Sequence, residues 1–295
     1  MFKTFLLFFL LTFQIIVHAA SYSDLFKEQK YEKIIEESLV VGEILPLQAE
    51  QKRFIGIYTE ANQAKPDGAI ILLHGMGAHP NWNDIILPIR TYFPDHGWST
   101  LSIQLPVKNN RANKTDYLPL FDLADKRIQS AVSFLQKKDI KYIAIIGHSL
   151  GAIMGMYYLA QVDSTLPKEE ERPIFSMMAI GLNVISKEKK YNTLQFIKEI
   201  SIPVYDIYGD ADLAGVLRSA KSRHNKARQA GNRNYKQIKI NGANHFFYGK
   251  EKNLIKRVFG WNRNQFLAKK AANKIKEQRE HHIKKAQEAE RLNLK

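Results

Sequence analysis

Tyr142-Ile143-Ala144-Ile145-Ile146-Gly147-His148-Ser149-Leu150-Gly151 is the stretch from which the rest of the chain can be read. Its first five residues form an unbroken apolar run, the pattern of a strand covered on both faces rather than one that alternates between core and water. A G-x-S-x-G turn follows, and a helix rich in small residues begins at Leu150. Such a turn forces its serine into strained backbone geometry. A side chain at either flanking glycine would collide with the adjoining strand or helix. Ser149 is therefore expected to hold its hydroxyl clear of the sheet, at the end of a strand.

Working outward, similar apolar runs recur at 69–73, 99–105, 175–180, 204–208 and 235–240. Helical candidates separate them at 84–93, 122–137, 150–162, 191–199, 213–230 and 253–258. Strands alternating with helices predict an α/β fold with a mostly parallel central sheet and helices on both faces. In the 122–137 segment Ile128, Val132 and Leu135 repeat at helical spacing, as in a helix lying on a sheet. Ahead of this region, 22–38 reads as a polar helix, and 39–47 with 54–58 as a leading hairpin. Residues 180–204 leave little room for a large helical lid, so a lidless, fairly open site is expected.

A serine hydroxyl is a poor nucleophile at neutral pH and needs a base, with an acid behind the base. The order Ser, Asp, His supplies both. His245 lies in Asn241-Gly242-Ala243-Asn244-His245-Phe246-Phe247, directly after the last apolar run. Gly209-Asp210-Ala211-Asp212 follows the preceding run and offers Asp212 as the acid, with Asp210 the alternative. Asp206, inside that run, is read as stabilising strand or loop backbone. Two donors to a developing oxyanion are also required. The Leu150 backbone N–H is the first. The second is expected from His74-Gly75-Met76-Gly77-Ala78-His79, at Met76, with Gly75 the alternative. His74, His148 and Tyr117 are read as lining the pocket. No H-E-x-x-H or comparable pattern marks a metal site, so neither metal nor organic cofactor is expected.

His74-Gly75-Met76-Gly77, Gly147-His148-Ser149-Leu150-Gly151, Gly209-Asp210-Ala211-Asp212 and Asn244-His245-Phe246, in that order, resemble the α/β-hydrolase superfamily over residues 54–259. More narrowly, the stretch 73–83, His96-Gly97-Trp98 and Asp116-Tyr117-Leu118-Pro119 resemble an uncharacterised bacterial family of exported α/β-hydrolase-like proteins. The superfamily resemblance implies eight strands, an active site at their C-terminal ends and a carboxylesterase-like activity. In that activity a carboxylic ester or thioester is cleaved through a Ser-His-Asp triad and an acyl-enzyme. A small-molecule ester or acyl compound is the implied substrate.

The 295-residue chain, 45% hydrophobic and 25% charged, is long enough for one large core. Its organisation reads as a signal peptide at 1–19, a hydrolase-like domain at 20–260 and a basic polar helical tail at 261–295. Lys3 precedes an apolar run at 5–17, and Val17 and Ala19 suit cleavage after Ala19. An uncleaved anchor is the rival reading, but the run falls short of the roughly 20 apolar residues of a bilayer span. A periplasmic or secreted location is expected. The absence of cysteine removes disulfides and thiol chemistry from consideration.

Of the formal +15 charge, the segment 250–295 supplies fourteen Lys/Arg against five Glu. This segment reads as a solvated helix. Its functional alternative is attraction to an anionic membrane surface or another acidic surface, although its apolar stripe of Leu267, Ala271 and Ile275 is thin for membrane insertion. The rival to catalysis is accordingly a non-catalytic envelope protein of the same fold that binds anionic lipid or a protein partner through the tail. Nucleic acid is not expected, because the basic segment lacks interleaved aromatics for base stacking.

Overall fold

The computed structural model describes residues 23–165 and 174–293. The expected signal peptide, and most of the charged loop at 163–173, lie outside the described residues.

The expected hairpin is present as β1 (Glu43–Ala49) and β2 (Lys52–Thr59), paired antiparallel. Glu50 and Gln51 join them with φ of 48° and 64°, the left-handed pair of a two-residue turn whose twist matches that of the strands. The remaining strands are β3 (Gly68–Leu73), β4 (Trp98–Ile103), β5 (Ile143–His148), β6 (Ile174–Ile180), β7 (Val204–Ala211) and β8 (Tyr235–Asn244). They form one eight-stranded sheet in the order β1-β2-β4-β3-β5-β6-β7-β8. β2 meets β4 antiparallel, and every pair from β4 to β8 is parallel.

Every residue of β3, β4, β5 and β6 is buried. Alternation of side chains along β3 sends Ile71 and Leu73 into one apolar cluster and Ile70 and Leu72 into another. The first cluster is completed by α3 (Phe121–Lys137), α4 (Leu150–Thr165) and α5 (Thr193–Glu199). The second is completed by α2 (Ile86–Tyr92) and the first turns of α7 (Glu251–Asn293). α6 (Ala214–Gln229) packs beside α5. Residues 181–192, between β6 and α5, hold only one short 3₁₀ turn, Lys189–Tyr191, so no large lid stands there.

Three features depart from or extend the pattern read along the chain. Asp206 in β7 contacts side chains, not backbone. Its carboxylate accepts from Arg223 Nε at 2.8 Å, Tyr235 Oη at 2.7 Å and Gln237 Nε2 at 2.7 Å. α1 (Leu25–Ser38) is polar but pinned, because Arg127, on the buried side of α3, meets Glu28 with two 3.0 Å bonds. α7 runs unbroken through the boundary expected at 260/261. Trp261 stacks on Tyr205 with centroids 5.1 Å apart, and Phe266 meets Trp98 and Tyr142 edge-on at 5.1 Å. From Glu277 to Glu288 every side chain of α7 is exposed. Among the described residues no helix is long and apolar enough to cross a membrane.

Candidate active site

Ser149 links β5 to α4 with φ of 55°, and its N–H donates to Ile180 O at 2.8 Å. The flanking glycines are dictated by contact. A Cβ on Gly151 would lie 2.4 Å from the carbonyl oxygens of Leu73 and His74, and one on Gly147 would lie 2.6 Å from Ala152 Cα. The turn thus keeps the serine in a conformation few side chains adopt, with its hydroxyl beyond the sheet.

His245 follows β8 and stands with Nε2 2.9 Å from Ser149 Oγ and Nδ1 2.6 Å from Asp212 Oδ1. The Asp212 side chain is fully buried, and its carboxylate also accepts from the Leu213 N–H at 2.7 Å. A carboxylate at Nδ1 holds the ring proton there and leaves the Nε2 lone pair toward the hydroxyl. Asp210 does not reach the imidazole. It accepts from the Gly242 N–H at 2.8 Å and ties the tips of β7 and β8 together.

Two neighbours hold His245 in place. The His148 Nε2–H donates to the His245 carbonyl at 3.0 Å. Burial, with the nearby His245 ring adding to it, lowers the His148 pKa to about 4, so this imidazole is neutral near pH 7. Gly181, with φ of 64°, lets the His245 ring approach β6. A Cβ there would lie 2.8 Å from His245 Cε1. A glycine closing the 175–180 run is the local sequence signal of this close approach.

The loop after β3 stands opposite. Gly75 O accepts from His74 Nδ1 at 2.8 Å and from the Ala78 N–H at 3.2 Å. In a trans peptide the Met76 N–H then points the opposite way. The Leu150 N–H belongs to the first turn of α4, where backbone donors have no partner inside the helix and the helix dipole is positive.

A cavity of about 200 Å³ opens at Ser149. Gly75, Met76, Leu150, His148 and His245 line it, together with Ala78, Trp82, Ile153, Ile185, Leu213, Val216, Phe246, Asn183 and Lys114. His74 and Tyr117, expected on its wall, are not there. The His74 ring is spent bridging strand ends, with Nε2 accepting from the Leu105 N–H at 2.9 Å, and burial lowers its pKa to about 3. Tyr117 is 2% exposed and turns inward to accept from the Lys108 N–H at 3.0 Å. Lys114, from the same segment, reaches the cavity instead.

Several supports carried no local sequence signal. Asp84 Oδ2 accepts from Trp82 Nε1 at 3.0 Å and Tyr248 Oη at 3.3 Å, joining the loops after β3 and β8. The Tyr31 hydroxyl of α1 donates to Gly77 O, and its ring lies 5.0 Å from that of His79. Lys27 Nζ donates to Lys108 O at 3.0 Å. α1 therefore braces the loops after β3 and β4. Among the described residues no group of three or more His, Asp or Glu is arranged to hold a metal ion.

A family model described as "Protein of unknown function (DUF3530)" matches residues 20–118 and 121–264. No curated protein matches the chain. Among solved structures it is similar to an esterase from Pyrococcus furiosus, at a TM-score of 0.60 and 15% identity over 79% of this chain and 95% of that one. A serine hydrolase without lid from Xanthomonas campestris is similar at a TM-score of 0.58 and 12% identity, over 77% and 96%. A dienelactone hydrolase from Anabaena variabilis is similar at a TM-score of 0.57 and 16% identity, over 75% and 95%. At such identities the likeness is one of fold, and the fold is that of the α/β hydrolases.

Proposed function

The chain belongs to the DUF3530 family and has the α/β-hydrolase fold, and from that premise we propose that it is an exported serine hydrolase cleaving a carboxylic ester or thioester. The observation that carries this reading is the row Asp212–His245–Ser149, hydrogen-bonded at 2.6 and 2.9 Å and ending on a strained serine at an apolar cavity.

In this mechanism Ser149 Oγ attacks the acyl carbon while His245 Nε2 takes the hydroxyl proton, and Asp212 stabilises the imidazolium without itself taking the proton. Charge developing on the acyl oxygen is met by the N–H groups of Leu150 and Met76, with Gly75 the alternative to Met76. His245 returns the proton to the departing alkoxide or thiolate, leaving an acyl-enzyme. Water then attacks, giving its proton to His245. The acid leaves as that proton returns to Ser149 Oγ. The sum is ester plus water to acid plus alcohol, or to acid plus thiol for a thioester.

A fluorophosphonate probe tests the reading, since it reacts with a serine activated by a base and an oxyanion site. The wild type is expected to label and Ser149→Ala not to label; folded wild type that fails to label ends the hydrolase reading. Export and cleavage after Ala19 are tested by cell fractionation and by the mass of the mature chain.

The stretch of α7 from Trp261 to Lys276, with five Lys/Arg and no acid against three of each between Glu277 and Glu288, favours a second reading, a basic helix that binds anionic surfaces. Retention of the full chain on vesicles containing anionic lipid, lost when Arg263→Glu, Lys270→Glu and Lys274→Glu are combined at these exposed positions, supports it; equal retention of both forms ends it.

A further inference from the structure

We propose that the cavity at Ser149 selects esters bearing an anionic group on the part lodged inside it, through Lys114; this rests on the hydrolase reading above. The cavity, at about 200 Å³, is modestly larger than the roughly 150 Å³ that holds a benzene molecule. It has room for one ring or a chain of a few carbons. Met76, Trp82, Ile153, Ile185, Leu213 and Val216 make its wall apolar.

Beyond the reacting centre, two polar side chains interrupt that wall. Asn183 is held locally, its Oδ1 accepting from the Val184 N–H at 2.8 Å. Lys114 is the other, and among the described lining residues it is the only lysine or arginine.

The backbone of Lys114 is anchored on both sides. Asn113 Oδ1 accepts from the Thr115 N–H at 2.8 Å, and the following 3₁₀ turn buries Tyr117, Leu118 and Leu120. Its ammonium forms no ion pair among the described residues. The carboxylates of the neighbouring loops are already engaged: Asp116 with the Asn113 N–H at 2.7 Å, Asp84 with Trp82 and Tyr248, and Asp212 with His245.

An anion drawn against an apolar wall alone loses its hydration without compensation, whereas one that meets the unpaired ammonium of a lining residue does not. A flexible lysine stem can follow substrates of slightly different length. The ester that fits is therefore short, apolar along its body and negatively charged at its far end.

The test compares 4-nitrophenyl hexanoate with 4-nitrophenyl hemiadipate, whose carboxylate is too distant to cleave its own ester through a small-ring anhydride, each with its spontaneous hydrolysis subtracted, on the full mature chain. The wild type is expected to favour the hemiadipate in kcat/KM by up to about fivefold at low salt, the range for a solvent-exposed ion pair. Raised salt weakens the preference. Lys114→Met brings the ratio to about 1, mainly through KM, and Lys114→Glu inverts it. Arg111→Gln, which removes an exposed cation of the same loop outside the cavity, leaves the ratio unchanged and so separates Lys114 from the general positive field.

A wild-type ratio near 1, or a ratio that survives Lys114→Met, overturns the proposal while leaving the hydrolase reading intact. If Ser149 labels with fluorophosphonate but neither ester turns over, the same pair is read as competitors of labelling. Preferential protection by the hemiadipate that depends on Lys114 supports the proposal, and equal or absent protection overturns it. Failure of wild-type labelling removes the hydrolase reading itself, and this proposal with it.

Discussion

Asp206 and Asp212 lie six residues apart, within and just beyond β7, and their side chains are equally inaccessible to water. The first is closed off. Arg223 grips it with Nε and Nη2 while also donating to Val216 O at 3.0 Å, so the charge is spent inside the sheet. The second is met by the Leu213 N–H and by an imidazole whose other nitrogen reaches Ser149 at a cavity wall. Burial and charge are alike in the two. What separates a structural carboxylate from a chemical one is what its partner touches next.

The sharpest way to break this contrast is Asp212→Asn. It is expected to slow acyl transfer and probe labelling on the order of 10⁴-fold by disturbing the tautomer of His245. Thermal unfolding should show only a modest change in Tm. Retained labelling would place both aspartates in the structural class.

Asp206→Asn should do the reverse. It leaves the Arg223 charge buried without its counter-ion, at a cost of about 3–5 kcal/mol read from the urea midpoint. The fraction that stays folded should label at the wild-type rate.

Acid sharpens the contrast from the histidine side. Burial lowers the His148 and His74 pKa values to about 4 and about 3, so the unfolded chain takes up protons near pH 6.5 that the folded chain refuses. The stability they contribute is complete above pH 6.5 and is lost as pH falls toward 4, at up to about 1.4 kcal/mol per pH unit for each ring. Urea midpoints at pH 7 and pH 5 measure this, and His148→Gln should flatten the slope.

The smallest effect is expected from Asp210→Ala, which removes one exposed hydrogen bond to Gly242 and should cost about 1 kcal/mol or less. Its labelling rate should stay near that of the wild type, and a loss comparable to that of Asp212→Asn would exchange the two residues' places.

Much of the fold was legible because continuous apolar runs have one stable destination, a strand covered on both faces, and β3 to β6 have it. Ser149, Asp212 and His245 could be singled out because each sits just past such a run, where a loop meets the open end of the sheet. The direction a side chain takes from that position was not legible. His74 and Tyr117 occupy the expected loops but turn toward Leu105 and Lys108, partners whose placement no local pattern records. The Glu28–Arg127 pair joins residues 99 apart in sequence, and the brace from Tyr31 to Gly77 spans 46. Spacing along one helix cannot reveal either. The unbroken course of α7 was hidden differently: its tail shows few apolar points, while its anchoring depends on Trp261 and Phe266 lying across the sheet's aromatic face.

That helix also governs how the molecule moves through water. Its side chains are exposed from Glu277 to Glu288, and the helix extends from Glu277 to Asn293 over roughly 25 Å, adding drag out of proportion to its mass. A single copy should tumble anisotropically and sediment more slowly than a sphere of the same weight. On a column calibrated with globular standards it should elute ahead of its mass, so light scattering rather than elution volume distinguishes an elongated monomer from a compact dimer.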